Sequence, residues 1–391
     1  MEYGRFTSKK VENFQESVIR EMTRFAKKHN AINLAQGFPD FPAPDFIKKY
    51  AVEAINKNIN QYAITWGSKS LRDAISYKQN NLYNTVFDPE TEITVTCGST
   101  EGMIASLMGI INKDDEIIIF EPFYENYGPD VVLCEAKPRF IQLTPPNYSF
   151  TEDDLKKVFN KKTRAIIINN PNNPSGKVFT KDELELIAKY CIKFNALAIT
   201  DEIYEHIIYD GVKHIPMFTI DGMRERTITI NGISKTYSVT GWRIGYVIAP
   251  AQLTNSIRKV HDFLTVGAPA PLQEAAADAI CNAEDYHEKL GEFYLKKRDI
   301  MLSELTTLGF ECSVPKGAYY IMAGFSKFGF DNSVDFSKYL IEKIGVATVP
   351  GSSFFNKNNE YFNRYIRFCY CKKDETLKNA LDRLKILAIH N

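Results

Sequence analysis

The alternation of short apolar runs with amphipathic stretches is what most restricts the fold of this chain. Seven runs read as strands: Ile93–Thr96, Glu116–Phe120, Arg139–Leu143, Ala165–Ile168, Ala196–Thr200, Thr227–Ile230 and Tyr246–Ala249. They are brief, apolar and bounded by Gly, Pro, Asn or Asp, which is how buried strands punctuate a sequence. Between several of them lie helical patterns such as Lys181–Phe194, with Leu184, Ile187, Ala188 and Cys191 on one face. Strands that alternate with helices favour an α/β fold whose sheet is mostly parallel and covered by helices on both faces.

The pattern changes after about Gln273. Residues Glu274–Leu308 read as nearly unbroken helix, followed by strand-like pieces at Ala318–Met322, Val346–Val349 and Tyr365–Tyr370. This change fits a smaller α+β domain. Near the start, a helix over about Val11–Lys28 precedes the proline-rich GFPDFPAP, an arm that packs away from the sheet. With 391 residues the chain exceeds the usual size of a single core. The expected division is a large domain over 46–285, with 1–45 and 286–391 forming the arm and small domain.

Several function classes are disfavoured. Lys plus Arg and Asp plus Glu both number 48, so net charge gives no reason to expect nucleic acid or an anionic membrane as partner. The seven Cys form no CxxC, and the six His form no HxH or HxxxH pair; neither a disulfide framework nor a metal site is expected. The N-terminal stretch lacks the apolar core of a signal peptide and no apolar run reaches membrane-span length. Reduced thiols and a cytoplasmic location are the plain expectation. No GxGxxG, GxxxxGK[ST] or GxSxG occurs, so the sheet must carry other chemistry at the C-terminal ends of its strands.

Four clusters follow anticipated strands. CGSTEG (Cys97–Gly102) places small residues at a helix start, where backbone N–H groups and the Ser99 and Thr100 hydroxyls can meet an anion; an ordinary helix cap reads the same way. NNPNNPSGKV (Asn169–Val178) contains two Asn-Pro steps that stiffen a turn and can fix an amide, although a plain strand-to-helix turn would look similar. In ITDEIYE, Asp201 ends a buried strand and needs a cation or hydrogen bond there; a capping Asp with a core Tyr204 is the alternative. In NGISKTYSVTGWRIGY (Asn231–Tyr246), Lys235 sits among small residues with Arg243 eight positions later. A lone Lys is usually a solvated charge, but a desolvated one becomes an amine nucleophile.

Taken with NLAQGFPDF (Asn33–Phe41), NQYAITWGSKSLRDAI (Asn60–Ile75), EPFYENY (Glu121–Tyr127), PKGAYY (Pro315–Tyr320) and VPGSSF to YIRFCY (Val349–Tyr370), these clusters make the whole chain resemble one family. It looks like the class I aminotransferases of pyridoxal-phosphate fold type I, most similar to the kynurenine/glutamine/methionine aminotransferase-like group. The lysine-attachment motif over Gly232–Gly245 is the most specific block.

The resemblance implies pyridoxal 5′-phosphate as cofactor, held by Lys235 as a Schiff base. It implies Asp201 on the pyridinium nitrogen, Tyr204 and Asn173 on the ring's phenolic oxygen, and Tyr124 stacked on the ring. Ser99, Thr100, Ser234 and Arg243 would hold the phosphate, with Tyr62 reaching it from the other subunit of a homodimer that shares its active sites. Arg367 would clamp the substrate α-carboxylate, helped by backbone N–H at Gly37 and by Asn173. Lys235, Asp201 and Tyr204 would be catalytic. The implied reaction is ping-pong transfer of an amino group from a glutamine-, methionine- or aromatic-type donor to a 2-oxo acid. A cysteine-conjugate β-lyase on the same fold is the alternative, and a non-catalytic cofactor-binding regulator a distant one. Two departures stand out. Gly232 replaces the Ser that many relatives carry three residues before the lysine, and Val266 and Gly267 stand where aromatic-selective relatives carry bulkier residues. No second arginine stands out as a clamp for a distal carboxylate.

Overall fold

All seven anticipated strands join one sheet, and the order of that sheet explains where a site can form. The computed structural model describes residues 6–12, 14, 16–282, 285–356, 359 and 361–388. Across the sheet the order is Ile93–Thr96, Gly245–Ile248, Thr227–Gly232, Leu197–Asp201, Thr163–Asn169, Glu116–Glu121 and Lys137–Gln142. Only Gly245–Ile248 runs antiparallel to its neighbours. Parallel strands present their C-terminal ends at one edge, so Asn169 and Asp201 lie side by side in register.

The inner strands are buried on both faces, which is why they read as continuous apolar runs. Successive side chains point to opposite faces. Ile118, Phe120, Ile166 and Ile168 therefore enter one core. Their neighbours Ile117, Ile119, Ala165 and Ile167 enter another, beneath the helix Ser99–Ile110. The helix Lys181–Phe194 has the expected bounds: Thr180 and Glu183 form a reciprocal capping box, and Asn195 ends it in a left-handed conformation.

A four-stranded antiparallel sheet, Val349–Pro350, Tyr365–Cys369, Tyr320–Gly324 and Glu311–Cys312, forms the second layer. Here several expectations need correction. The N-terminal α-helix starts at Val18, because the Ser17 hydroxyl accepts the Arg20 N–H and caps it there; positions 13 and 15 lie outside the described residues. The long helical stretch divides into Ala270–Cys281 and Tyr286–Leu308, with Asp285 at φ 57° between them and residues 283–284 outside those described. Ala318 also has positive φ, so its strand begins two residues late, at Tyr320. Val346–Val349 serves two sheets: Val346–Ala347 pairs with Ile32–Asn33, whereas Val349–Pro350 pairs with Tyr365–Cys369. The N-terminal arm is thus stitched to the small sheet, with Cys369 N–H donating to the Leu34 carbonyl at 2.9 Å. No helix among the described residues is long and apolar enough to cross a membrane.

Candidate active site

The strand ends, the small sheet and the arm enclose a cavity of about 270 Å³. Its wall includes Ser99, Thr100, Tyr124, Asn173, Asp201, Tyr204, Ser234, Lys235, Arg243, Arg367 and Gly37, so eleven of the twelve residues singled out from sequence meet there. Tyr62 does not. It is 88% exposed, which leaves its ring available to another molecule.

Lys235 is reached from the loop after Thr227–Gly232. Its Nζ donates to the Gly37 carbonyl at 3.2 Å and sits 5.9 Å from the ring centres of Tyr204 and Tyr319. Desolvation pushes its pKa down to about 8, aided by the positive charges of Arg367 and Arg243 and opposed by Asp201. The carboxylate of Asp201 accepts from Tyr127 Oη at 2.6 Å and from the Ile203 N–H at 3.3 Å. Burial raises its pKa and these two bonds pull it back. Among the described residues no Lys, Arg or His forms an ion pair with it, so its charge is positioned for a cation arriving in the cavity.

Tyr204 Oη lies 3.0 Å from Tyr320 Oη, and burial keeps its phenol strongly protonated. The Asn173 amide oxygen accepts from Arg367 Nη1 at 2.7 Å, which turns its Nδ2 donors elsewhere. Arg367 is 1% exposed; its Nη2 donates to the Ala35 carbonyl at 2.7 Å, while Nε has no partner. Rings of Tyr320 and Phe354 lie 4.2 and 4.8 Å from its guanidinium carbon. A buried cation with a spare donor is prepared for a carboxylate.

Packing gives a further reason for glycine at position 37. A Cβ there would fall 1.9 Å from Tyr320 Oη, and the Gly37 carbonyl already accepts from Lys235 and from Tyr319 Oη. Ser99 lines the cavity at the helix start, and its hydroxyl donates to the Asn231 carbonyl at 2.9 Å. That hydroxyl crowds position 232, where a Cβ would lie 3.1 Å from it and 2.8 Å from the Ile244 carbonyl. Glycine at 232 is therefore set chiefly by the close backbone of Ile244 and Gly245 on the neighbouring strand, with the Ser99 hydroxyl adding to the crowding, and Ser234 lines the cavity.

Residues missed from sequence include Tyr127, Tyr319, Tyr320 and Asn169. All lie inside blocks already quoted for the family resemblance, but nothing local distinguished their hydroxyls and amide from core-filling groups. The arrangement fits pyridoxal 5′-phosphate: a desolvated amine at Lys235, a buried carboxylate at Asp201, and the start of the helix Ser99–Ile110 with Thr100, Ser234 and Arg243 for a phosphate.

One other cluster brings metal-capable atoms together: Glu202, Glu205 and His214, all within 4.8 Å. It is already satisfied internally. Glu205 binds the Lys78 ammonium and accepts from Asn231 Nδ2 at 2.7 Å, and His214 contacts Tyr83 Oη at 3.1 Å and the Asn170 carbonyl at 3.2 Å. An ammonium already inside the cluster opposes a metal cation.

The comparisons with known proteins agree with this geometry. Residues 29–384 match the aminotransferase class I and II family. The solved structure of N-succinyldiaminopimelate aminotransferase from Mycobacterium tuberculosis superposes with a TM-score of 0.95 at 36% identity, covering 97% of this chain and 100% of the other. Methionine aminotransferase of Escherichia coli K12 is 33% identical over 95% of this chain and 96% of its own. Kynurenine–oxoglutarate transaminase 3 of Homo sapiens is 35% identical over 98% of this chain and 91% of its own.

Proposed function

The chain belongs to the aminotransferase class I and II family, an enzyme of fold type I that uses pyridoxal 5′-phosphate, and on that premise we propose that it moves an amino group from glutamine, methionine or an aromatic amino acid to a 2-oxo acid in ping-pong fashion. The observation that carries this reading is the opposition, in one cavity, of the desolvated Lys235 amine, the buried Asp201 carboxylate and the Arg367 guanidinium. The donor assignment draws on relatives named for methionine and kynurenine, and on a wall rich in Tyr124, Tyr204 and Tyr320.

Bound pyridoxal 5′-phosphate supplies an electron sink for charge developing at the substrate Cα. The chain's own residues do the rest. Lys235 would hold the cofactor covalently, and its free Nζ would take the substrate Cα proton. Asp201 would accept a hydrogen bond from the protonated ring nitrogen and so hold that proton on the ring, with Tyr127 fixing the carboxylate. Tyr204 and the Asn173 amide donate to the phenolic oxygen. Tyr124 would cover the ring face, and Ser99, Thr100, Ser234 and Arg243 would hold the phosphate, with the Ser99 hydroxyl also bracing that turn through Asn231. Arg367 and Asn173 orient the α-carboxylate.

Two further readings go with this. The working form is a cytoplasmic homodimer in which the partner's copy of Tyr62 reaches the phosphate, supported by the exposed ring of Tyr62 and the exposed Ile64, Phe263, Leu264 and Val266. The large domain runs over 46–285, with 1–45 and 286–391 forming the arm and small domain.

Arg367→Gln is expected to raise KM for every amino donor about 100-fold, because a charge-assisted, buried carboxylate bond is lost. Steady-state kinetics on two donors check this, and a KM that rises for only one contradicts the α-carboxylate role. The function itself is tested with a panel of amino donors against several 2-oxo acids. Stoichiometric, acceptor-dependent amino transfer with parallel-line kinetics is expected. Release of ammonia and a 2-oxo acid from a cysteine conjugate without any acceptor, and no transfer, would instead establish the lyase.

A further inference from the structure

A buried lysine outside the cofactor cavity joins three of the strand ends that carry the site. Lys78 lies in the helix Lys69–Tyr83 and is 7% exposed. It borders a separate void of about 10 Å³ behind the Lys235 loop, together with Glu205, Gly232, Thr236 and Tyr246. Its ammonium donates to the Glu205 carboxylate and, at 2.7 Å, to Tyr246 Oη. Glu205 follows the strand Leu197–Asp201, and Tyr246 stands at the start of Gly245–Ile248. Glu205 also accepts from Asn231 Nδ2 at 2.7 Å, near the end of Thr227–Gly232. Asn231 and Tyr246 are register partners across those two strands.

Both branches of this clamp lead to the start of the helix Ser99–Ile110. Through Glu205, the first holds the Asn231 side chain, whose Oδ1 accepts the Gly232 N–H at 2.7 Å, while the Asn231 carbonyl accepts from Ser99 Oγ at 2.9 Å. Through Tyr246, the second holds Gly245, whose backbone lies so close that a Cβ there would fall 2.4 Å from the Ser99 nitrogen. Lys78 and Glu205 are the charged members of the cluster. Burial pushes Glu202 up to about 8, His214 down to about 4 and His206 well below its ordinary value, so all three are mostly uncharged at pH 7. A buried ion pair is costly to break, which keeps its partners in one arrangement.

We propose that Lys78 is a positioning residue for the cofactor phosphate: through Glu205 and Asn231, and through Tyr246, it sets where the first turn of Ser99–Ile110 stands. This rests on the reading that this helix start receives the phosphate of pyridoxal 5′-phosphate. An anion site at a helix N-terminus works only while its donors converge on one point. Without the clamp, the Asn231 amide and the Gly245 backbone are free to shift, and the donors of Ser99 and Thr100 shift with them. The ring end of the site has anchors of its own. Asp201 is held by Tyr127 and the Ile203 N–H, and Tyr204 by Tyr320, and none of these bonds involves Lys78.

The test titrates the full-length apoenzyme with pyridoxal 5′-phosphate and with pyridoxal, which lacks the phosphate, following the aldimine absorbance. Lys78→Met alone would strand the Glu205 charge, so the variant is the neutral pair Lys78→Met/Glu205→Gln, whose similar volume preserves the fold. Its affinity for pyridoxal 5′-phosphate is expected to fall about 10-fold, while that for pyridoxal stays within about twofold and the apoenzyme melts near the wild-type temperature. Tyr246→Phe removes one hydroxyl and keeps the ion pair; it should weaken pyridoxal 5′-phosphate about 3-fold with the same selectivity. An unchanged affinity for pyridoxal 5′-phosphate, or an equal loss for both aldehydes, overturns the proposal and leaves the aminotransferase reading intact. Should the paired variant fail to fold, Tyr246→Phe decides by the same criteria. A wild-type chain that binds neither aldehyde, or both equally well, overturns the phosphate reading along with the proposal.

Discussion

Lys235→Ala is expected to reduce amino transfer about 10⁴-fold or more, the combined loss of a covalent attachment point and of a positioned proton-transfer base. The cofactor should still enter, because Thr100, Ser234, Arg243 and Asp201 are untouched, but borohydride should no longer fix its mass to the chain. Peptide mapping of the reduced wild type should place that mass on residue 235. Attachment elsewhere contradicts the assignment. The pH dependence follows from burial. An amine with a pKa near 8 is uncharged in about one molecule in ten at pH 7, against roughly one in 3,000 for an ordinary lysine. Uptake of the cofactor aldehyde by the apoenzyme should therefore rise with pH, reach half its maximum near pH 8 and level off above about pH 9. A rise that continues to pH 10 means Lys235 is not desolvated in solution. The sign for stability is defined too. The folded pKa lies below the unfolded one, so between about pH 8 and 10.5 the unfolded chain binds more protons, and stability gains with rising pH across that window. Lys235→Ala should lose that gain.

Asp201→Asn is expected to lower kcat by about 10²- to 10³-fold, the scale seen when one preorganised charge is removed from a transition state. Substrate KM should change little, since Arg367 and Asn173 are intact. The same variant should leave the apoenzyme at least as stable as wild type. Asp201 is a buried carboxylate whose pKa is raised by desolvation; Asn has similar size, its Oδ1 can keep the Ile203 N–H, and its Nδ2 can donate to a rotated Tyr127 hydroxyl. Loss of turnover together with unimpaired thermal stability distinguishes a catalytic carboxylate from a structural one. A kcat within tenfold of wild type contradicts the role, and a large fall in apoenzyme stability shows that Asp201 holds the strand ends together.

The two layers of the molecule differed in how much could be read ahead of the structure. The large sheet was legible because strands such as Ala165–Ile168 are buried on both faces and carry their signal within a few residues. The small sheet was read with shifted bounds because its strands depend on partners far away. Val346–Ala347 is a strand only because Ile32–Asn33 lies against it. The helix start at Ser17 and the offset at Ala318 each turn on a single conformation, a capping hydroxyl or a positive φ, that periodicity does not encode.

The site shows the same division. Lys235, Asp201, Asn173 and Arg243 were legible because each follows a strand of a parallel sheet, and such strands end at a common edge. Tyr127 and Tyr320 were passed over, because an aromatic residue reads as core until its hydroxyl's partner is known. Gly232 stands where a phosphate donor is expected, and the close backbone of Ile244 and Gly245 on the neighbouring strand leaves little room there for a side chain. Lys78 was invisible as well: a lysine on a helix reads as a solvated charge, and only folding carries it to Glu205 and Tyr246. Sequence by itself determined what short-range periodicity and local motifs can specify: the strands, their common edge, and the chemical groups mounted on it. Tertiary structure alone decided which distant groups complete that edge, because hydrogen bonds and desolvation act over a few ångströms of space, whatever the separation along the chain.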